Sequence, residues 1–193
     1  MARYQGQLPP HIVEQLVQFS TSESDAQLNH FTSDALRFGS RDAVDKWLKK
    51  GRTIYILTEP QGQILYGILW FGQELMPKEQ YTEILNTPEY VFTYAKRLYG
   101  TARGRGISYT FMKEAYRDFM RLPQYKNQIG KGFWLTTSAD NDRVLAIDRK
   151  FGFRVVSKAN SDNKVVAVAS FFGIMDEILR TDEAERQTEL VLA

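Results

Sequence analysis

Residues 90–138 constrain the fold more than any other stretch. Tyr90–Tyr99 is rich in β-formers and leads into a glycine-rich turn, Arg103-Gly104-Arg105-Gly106-Ile107-Ser108. An amphipathic helix is expected over about 105–120, and Phe133–Ser138 is a second β-forming run. Ile107, Phe111, Ala115 and Phe119 recur every four residues, while Lys113, Glu114, Arg117 and Asp118 fall mostly off that stripe. A strand, a helix and a strand in this order form a βαβ crossover, whose two strands lie parallel.

The turn has chemical meaning because of where it sits. At a helix N-terminus the first backbone N–H groups lack intrahelical partners, and the helix dipole adds partial positive charge. Such an end cradles phosphate. Glycines at 104 and 106 permit torsions that a Cβ disfavours, and Arg103 and Arg105 match phosphate geometry. The same six residues also read as a plain glycine turn with solvated arginines.

Around this unit the other elements follow from local signals. Pro9 and Pro10 precede an amphipathic run through Ile12, Val13, Leu16 and Val17, a first helix. Residues 20–34 are polar and loop-like. Ser40 is an N-cap for a helix over 41–50, stopped by Gly51. Residues 53–58 and 63–71 flank the turn Glu59-Pro60-Gln61-Gly62 as a hairpin. Pro77 opens a short helix to about Leu85, with Pro88 as the next boundary. Asp140-Asn141 caps a helix to about Lys150, stopped by Gly152, and strands follow near 153–157 and 164–171. From Gly173 a helix begins and gives way to a charged, mobile end. The fold class is therefore α/β (α+β): a mixed, mostly antiparallel sheet with one central parallel pair, flanked by helices. We expect one domain over 1–193, with a core at about 8–172.

Composition excludes several chemistries. The chain has 193 residues and no cysteine, which removes disulfides, thiol nucleophiles and zinc–thiolate sites. His11 and His30 are the only imidazoles, so a histidine metal site or a Ser/His/Asp triad is poorly supported, and no metal is expected. Lys and Arg total 25 against 23 Asp and Glu, which gives no general basic field for nucleic acid. The first residues lack a signal-peptide core and no segment is long enough to span a bilayer, so the expectation is cytoplasmic, with no membrane partner.

Two ordered blocks resemble the GNAT N-acetyltransferase superfamily. Its signature, Gln or Arg, two residues, Gly, one residue, then Gly or Ala, is matched by Arg103 to Ser108, with Ser108 at the Gly/Ala place. The second block is Phe133-Trp134-Leu135, then Asn141, then Phe151-Gly152-Phe153. The resemblance spans roughly 8–172.

That resemblance implies an N-acetyltransferase, passing an acetyl or other acyl group from acyl-CoA directly to an amine in a ternary complex, as monomer or homodimer. It implies acetyl-CoA as cosubstrate, its pyrophosphate on the N–H groups of Arg103, Gly104, Arg105, Gly106, Ile107 and Ser108. It places the pantetheine arm along Arg97-Leu98, in a gap where that strand and 133–138 splay, with Asn141 nearby. It also makes a backbone N–H near Leu98 the donor to the developing oxyanion. The family often has a tyrosine seven residues after the asparagine, able to protonate the leaving thiolate; here that residue is Asp148. Asp148 is either a buried, protonated acid in the tyrosine's role or a salt-bridged or solvated helix residue, or else the site is degenerate. Tyr109 reads as packing. Glu74 and Glu89 flank the acceptor side without clear claim to be the base. Trp70, Phe71, Tyr90, Phe92 and Tyr94 are candidates to line an acceptor pocket, or are simply core. Rival readings are a noncatalytic acyl-CoA-binding module and a nucleic-acid binder using Lys96, Arg97, Arg103 and Arg105.

Overall fold

A computed structural model describes residues 1–22, 31, 34, 37–76, 89–125, 127–128 and 130–192. In chain order the elements are β1 (Ala2–Gln5), α1 (Pro10–Thr21), α2 (Arg41–Leu48), β2 (Thr53–Thr58), β3 (Leu65–Gln73) and β4 (Glu89–Leu98). They continue with α3 (Ile107–Arg121), β5 (Lys131–Ser138), α4 (Asp142–Lys150), β6 (Arg154–Val155), β7 (Lys164–Ser170) and α5 (Phe171–Leu192). Seven strands form one sheet in the order β1-β2-β3-β4-β5-β7-β6. Among the described strands only β4 and β5 pair in parallel, on either side of α3. The helix expected from Pro77 to about Leu85, and most of the polar run 20–34, lie outside the described residues.

Local chemistry shapes the first half. Pro10 opens α1 at its first turn, and Ser40 Oγ accepts the Ala43 N–H at 3.2 Å to cap α2. The Glu59 carboxylate accepts the N–H groups of Gln63 (2.7 Å) and Ile64 (2.9 Å), which ties the β2–β3 hairpin together. Strand β1 was not evident in the sequence. Its short polar run pairs Arg3 with Tyr55 at the sheet edge.

The sheet divides two cores because strand side chains alternate. On one face Ile54, Ile56, Ile68 and Trp70 pack against α1, α2 and Tyr99. On the other, Phe71, Phe92, Tyr94 and Phe133 meet Phe111, Tyr116 and Phe119 of α3 and Phe171 of α5. The Phe71 and Phe119 rings stack at 4.1 Å. A bulge in β4 between Tyr90 and Phe92 corrects the simple alternation. It leaves Val91 in the same core as Phe92 and sends Tyr90 to the opposite face, with Trp134, Val166 and Val168.

Helix α5 runs to Leu192, further than its charged sequence suggested. Its polar residues bind α3: Tyr109 Oη meets Thr181 Oγ1 at 2.8 Å, Lys113 Nζ donates to Glu185 at 2.7 Å, and Arg117 to Asp182 at 2.6 Å. Lys113, off the expected stripe, is thereby buried.

Candidate active site

The glycine turn forms an open helix end. A 3-10 turn at Gly100–Ala102 delivers the chain to Gly104 (φ +76°) and Gly106 (φ +71°), and Gly106 is the left-handed N-cap of α3. A Cβ at either glycine would meet nothing within 4 Å, so torsion, not space, requires glycine there. Among the described residues, no side chain caps α3. The N–H groups of the first helical turn therefore point outward, beside exposed Gly104, Arg105 and Gly106.

Arg103 departs from the expected N–H set. Its own backbone N–H donates to Gly100 O at 3.3 Å, so the free run of amides starts after it. Its guanidinium reaches back, Nε donating to Leu98 O at 3.3 Å. Arg105 donates to Tyr66 Oη at 3.2 Å and stacks 5.3 Å over that ring.

Next to this end the sheet opens. Pairing between β4 and β5 stops at Thr93 and Trp134, while β4 continues to Leu98 and β5 to Ser138. Tyr99 N–H donates to Tyr66 O. By the alternation of an antiparallel ladder, the peptide groups of Arg97 then face β3, and those of Lys96 and Leu98 face the gap. Of the expected pair Arg97-Leu98, only Leu98 can thus offer main-chain groups to an extended ligand arm. The Arg97 side chain goes to the α1–α2 face, where it donates to Ser20 Oγ (3.3 Å) and Asp34 O (3.2 Å).

Asn141 starts α4 through its backbone carbonyl, which accepts the Leu145 N–H at 3.0 Å. Its carboxamide does not cap the helix; it donates to Thr137 Oγ1 at 3.2 Å, at the end of β5. Asn141 therefore borders the gap on the side opposite Leu98.

Asp148 is buried and sits against β4. Its Oδ1 accepts from Tyr94 Oη and from Lys96 Nζ at 3.1 Å. Tyr94 and Lys96 lie two apart on β4, just past the point where pairing with β5 ends. Burial pushes the Lys96 ammonium down, against the pull of Asp148, and pushes the Tyr94 and Tyr116 phenols well up, with Asp148 adding to it. Asp148 Oδ2 and the Tyr116 hydroxyl are buried without a hydrogen-bond partner among the described residues. Sequence reasoning named Asp148 but missed its tie to Lys96, because no local pattern links residues 52 apart.

Other expectations divide. Trp70, Phe71, Tyr90, Phe92 and Tyr94 do not line one pocket: they fall into three clusters on two faces of the sheet. Tyr109 stacks on Phe151 at 4.9 Å and packs against α5. Glu89 pairs with Lys131, and Glu74 is exposed. The Lys96 ammonium turns to Asp148 and the buried Arg97 guanidinium to Phe38 on the opposite face, so they form no surface with Arg103 and Arg105. Among the described residues, no three His, Cys, Asp or Glu gather as a metal would need, and no helix is long and apolar enough to cross a membrane.

No family model and no curated relative matches this sequence. Solved structures do match in fold. RimL, an alpha-N-acetyltransferase acting on a ribosomal protein and solved with coenzyme A, superposes with a TM-score of 0.60 over 84% of this chain and 90% of its own, at 13% identity. Spermidine N-acetyltransferase from Vibrio cholerae, solved with CoA and spermine, gives 0.57 over 90% and 97%, at 10% identity. An aminoglycoside N(6')-acetyltransferase from Legionella pneumophila gives 0.58 over 91% and 95%, at 12% identity. The chain has the GNAT acetyltransferase fold.

Proposed function

We propose that this chain is an acyl-CoA-dependent N-acyltransferase, and that the split between β4 and β5 beside the bare N-terminus of α3 is its donor site. The observation that carries the proposal is this juxtaposition. Two strand edges that stop pairing lie next to a helix end held open by two left-handed glycines. The residues present fit acetyl-CoA. The N–H groups of Gly104 to Ser108 and the Arg105 guanidinium would hold its pyrophosphate, and Arg103 would bear on it through charge. Leu98 would pair with the pantetheine arm and offer its N–H to the developing oxyanion, with Asn141 on the far edge. When bound, the thioester supplies an activated acyl group.

The chain's own residues then do three things. They hold the two substrates together, which can supply a large share of the acceleration. They present the Leu98 N–H where negative charge develops. Asp148 would stand at the family tyrosine's position, paired with Lys96. Asp148 is paired in this arrangement, so the group able to release a proton there is the Lys96 ammonium, eased by burial. A second reading, a noncatalytic acyl-CoA-binding module, draws on that same pair, since a buried ion pair also serves as a structural tie.

A thermal-shift titration tests the proposal. At about 100 times the dissociation constant, acetyl-CoA should add about 2.7 kcal/mol of stability. Gly106→Glu should abolish that gain by placing a carboxylate in the cradle. Thiol release in the presence of an amine panel selects the catalytic reading; CoA binding without turnover selects the module. No shift with acetyl-CoA or CoA overturns both.

A further inference from the structure

The face of β4 opposite the Lys96–Asp148 pair carries a second group of charges. Three guanidiniums lie on aromatic rings: Arg37 at 5.0 Å over Trp70, Arg52 at 5.4 Å over Trp47, and Arg97 at 4.8 Å over Phe38. Phe38, Trp47 and Trp70 pack edge to face at 5.0–5.9 Å, so the rings form one platform. Trp70 lies opposite Ala95, and Arg52 Nε lies near Gly72, which lies opposite Thr93. The platform thus abuts the strand segment that borders the β4–β5 gap.

Among the described residues, two carboxylates, Asp34 and Glu74, act on these three guanidiniums. Asp34 meets Arg37 at 3.5 Å and reaches Arg52 and Arg97 through its field, Glu74 acts on Arg52 through its field, and Arg52 Nη1 donates to Trp47 O at 3.4 Å. Arg52 Nε is buried without a hydrogen-bond partner among the described residues. Burial and the neighbouring Arg97 push Arg37 down to about 10. Planar guanidiniums held against rings keep their forks aligned for bidentate oxyanions.

We infer that the acceptor amine carries an oxyanion, a carboxylate or a phosphate, and that Arg37 and Arg52 bind it. Its placement beside the gap rests on the acyl-transfer proposal above. Like charge disfavours a polycationic acceptor at this face.

Tryptophan fluorescence of the full chain tests this without turnover, since Trp70 and Trp47 lie beneath Arg37 and Arg52. The chain, alone and with CoA, is titrated with alanine against alaninamide and with phosphoethanolamine against ethanolamine. A saturable change confined to the oxyanion-bearing member of one pair supports the inference and tells carboxylate from phosphate. Arg37→Gln and Arg52→Gln should each raise that dissociation constant at least tenfold, with exposed Arg180→Gln as a charge control. Where a Gln variant fails to melt cooperatively, Arg37→Lys and Arg52→Lys keep the charge, lose the fork, and should still weaken binding. Equal response to the member that lacks the oxyanion, no response to any probe, or binding that survives both substitutions overturns it. Failure of the acyl-transfer proposal is read separately, from the acetyl-CoA thermal shift.

Discussion

Lys96 of β4 and Asp148 of α4 form an ion pair of 3.1 Å whose side chains are only 9% and 1% exposed. Such a pair repays little of its desolvation, but losing one partner leaves a buried charge uncompensated. Lys96→Met or Asp148→Leu should therefore cost about 3–5 kcal/mol. The double variant Lys96→Met with Asp148→Leu should cost far less than the sum. Urea denaturation of the four proteins measures the coupling, and additive losses would show that the pair is not a unit.

Gly106 should be limited by torsion alone. At φ +71°, with nothing near the missing Cβ, Gly106→Ala should lower stability by about 1–2 kcal/mol without disturbing packing. Chemical denaturation reads the loss, and an unchanged near-ultraviolet circular dichroism spectrum shows that the core is intact.

Gly132 is limited by space instead. A methyl group there would lie 2.4 Å from the Tyr90 ring and 2.9 Å from the Ala169 carbonyl oxygen. The ring can move, but the backbone oxygen of β7 cannot move freely. Gly132→Ala should cost at the upper end of about 1–3 kcal/mol. Tyr90→Ala should not rescue it. A cost below that of Gly106→Ala would contradict the close approach.

Tyr55, Tyr94 and Tyr116 should resist ionisation in the folded protein, since burial raises all three. The folded state keeps protons that the unfolded chain releases near pH 10. Their stabilisation is thus present below pH 10 and lost as pH rises toward their folded values. Tyrosinate absorbance at 295 nm should fall at least three residues short of the chain's ten until unfolding, with Tyr109 also raised by burial. Arg37, held to about 10, works in the opposite direction above that pH. Tyr94→Phe isolates the effect: it should flatten the alkaline fall in melting temperature.

Much of the fold was legible because its signals are local. The glycines at 104, 106 and 152, the caps and the hairpin turn act over a few residues, and the strand–turn–helix–strand order implies one parallel pair. Short polar β1 carried no such signal, since it is a strand only by pairing with β2. The extent of α5 was hidden for the same reason: its charged half is held by bonds to α3.

The site divides in the same way. The sequence by itself determined the left-handed glycine turn that opens α3, because turn chemistry is a property of adjacent residues, whereas Leu98, Asn141 and Asp148 became candidates through the resemblance to the GNAT acetyltransferases. Only the tertiary structure decided that Arg97 faces away from the gap, that Asp148 meets Lys96 and Tyr94, and that Arg37 and Arg52 share an aromatic platform with Arg97. These follow from strand register and from which face each side chain takes. Register is set by packing between elements far apart in the chain, where one residue of bulge in β4 moves every later side chain to the other face.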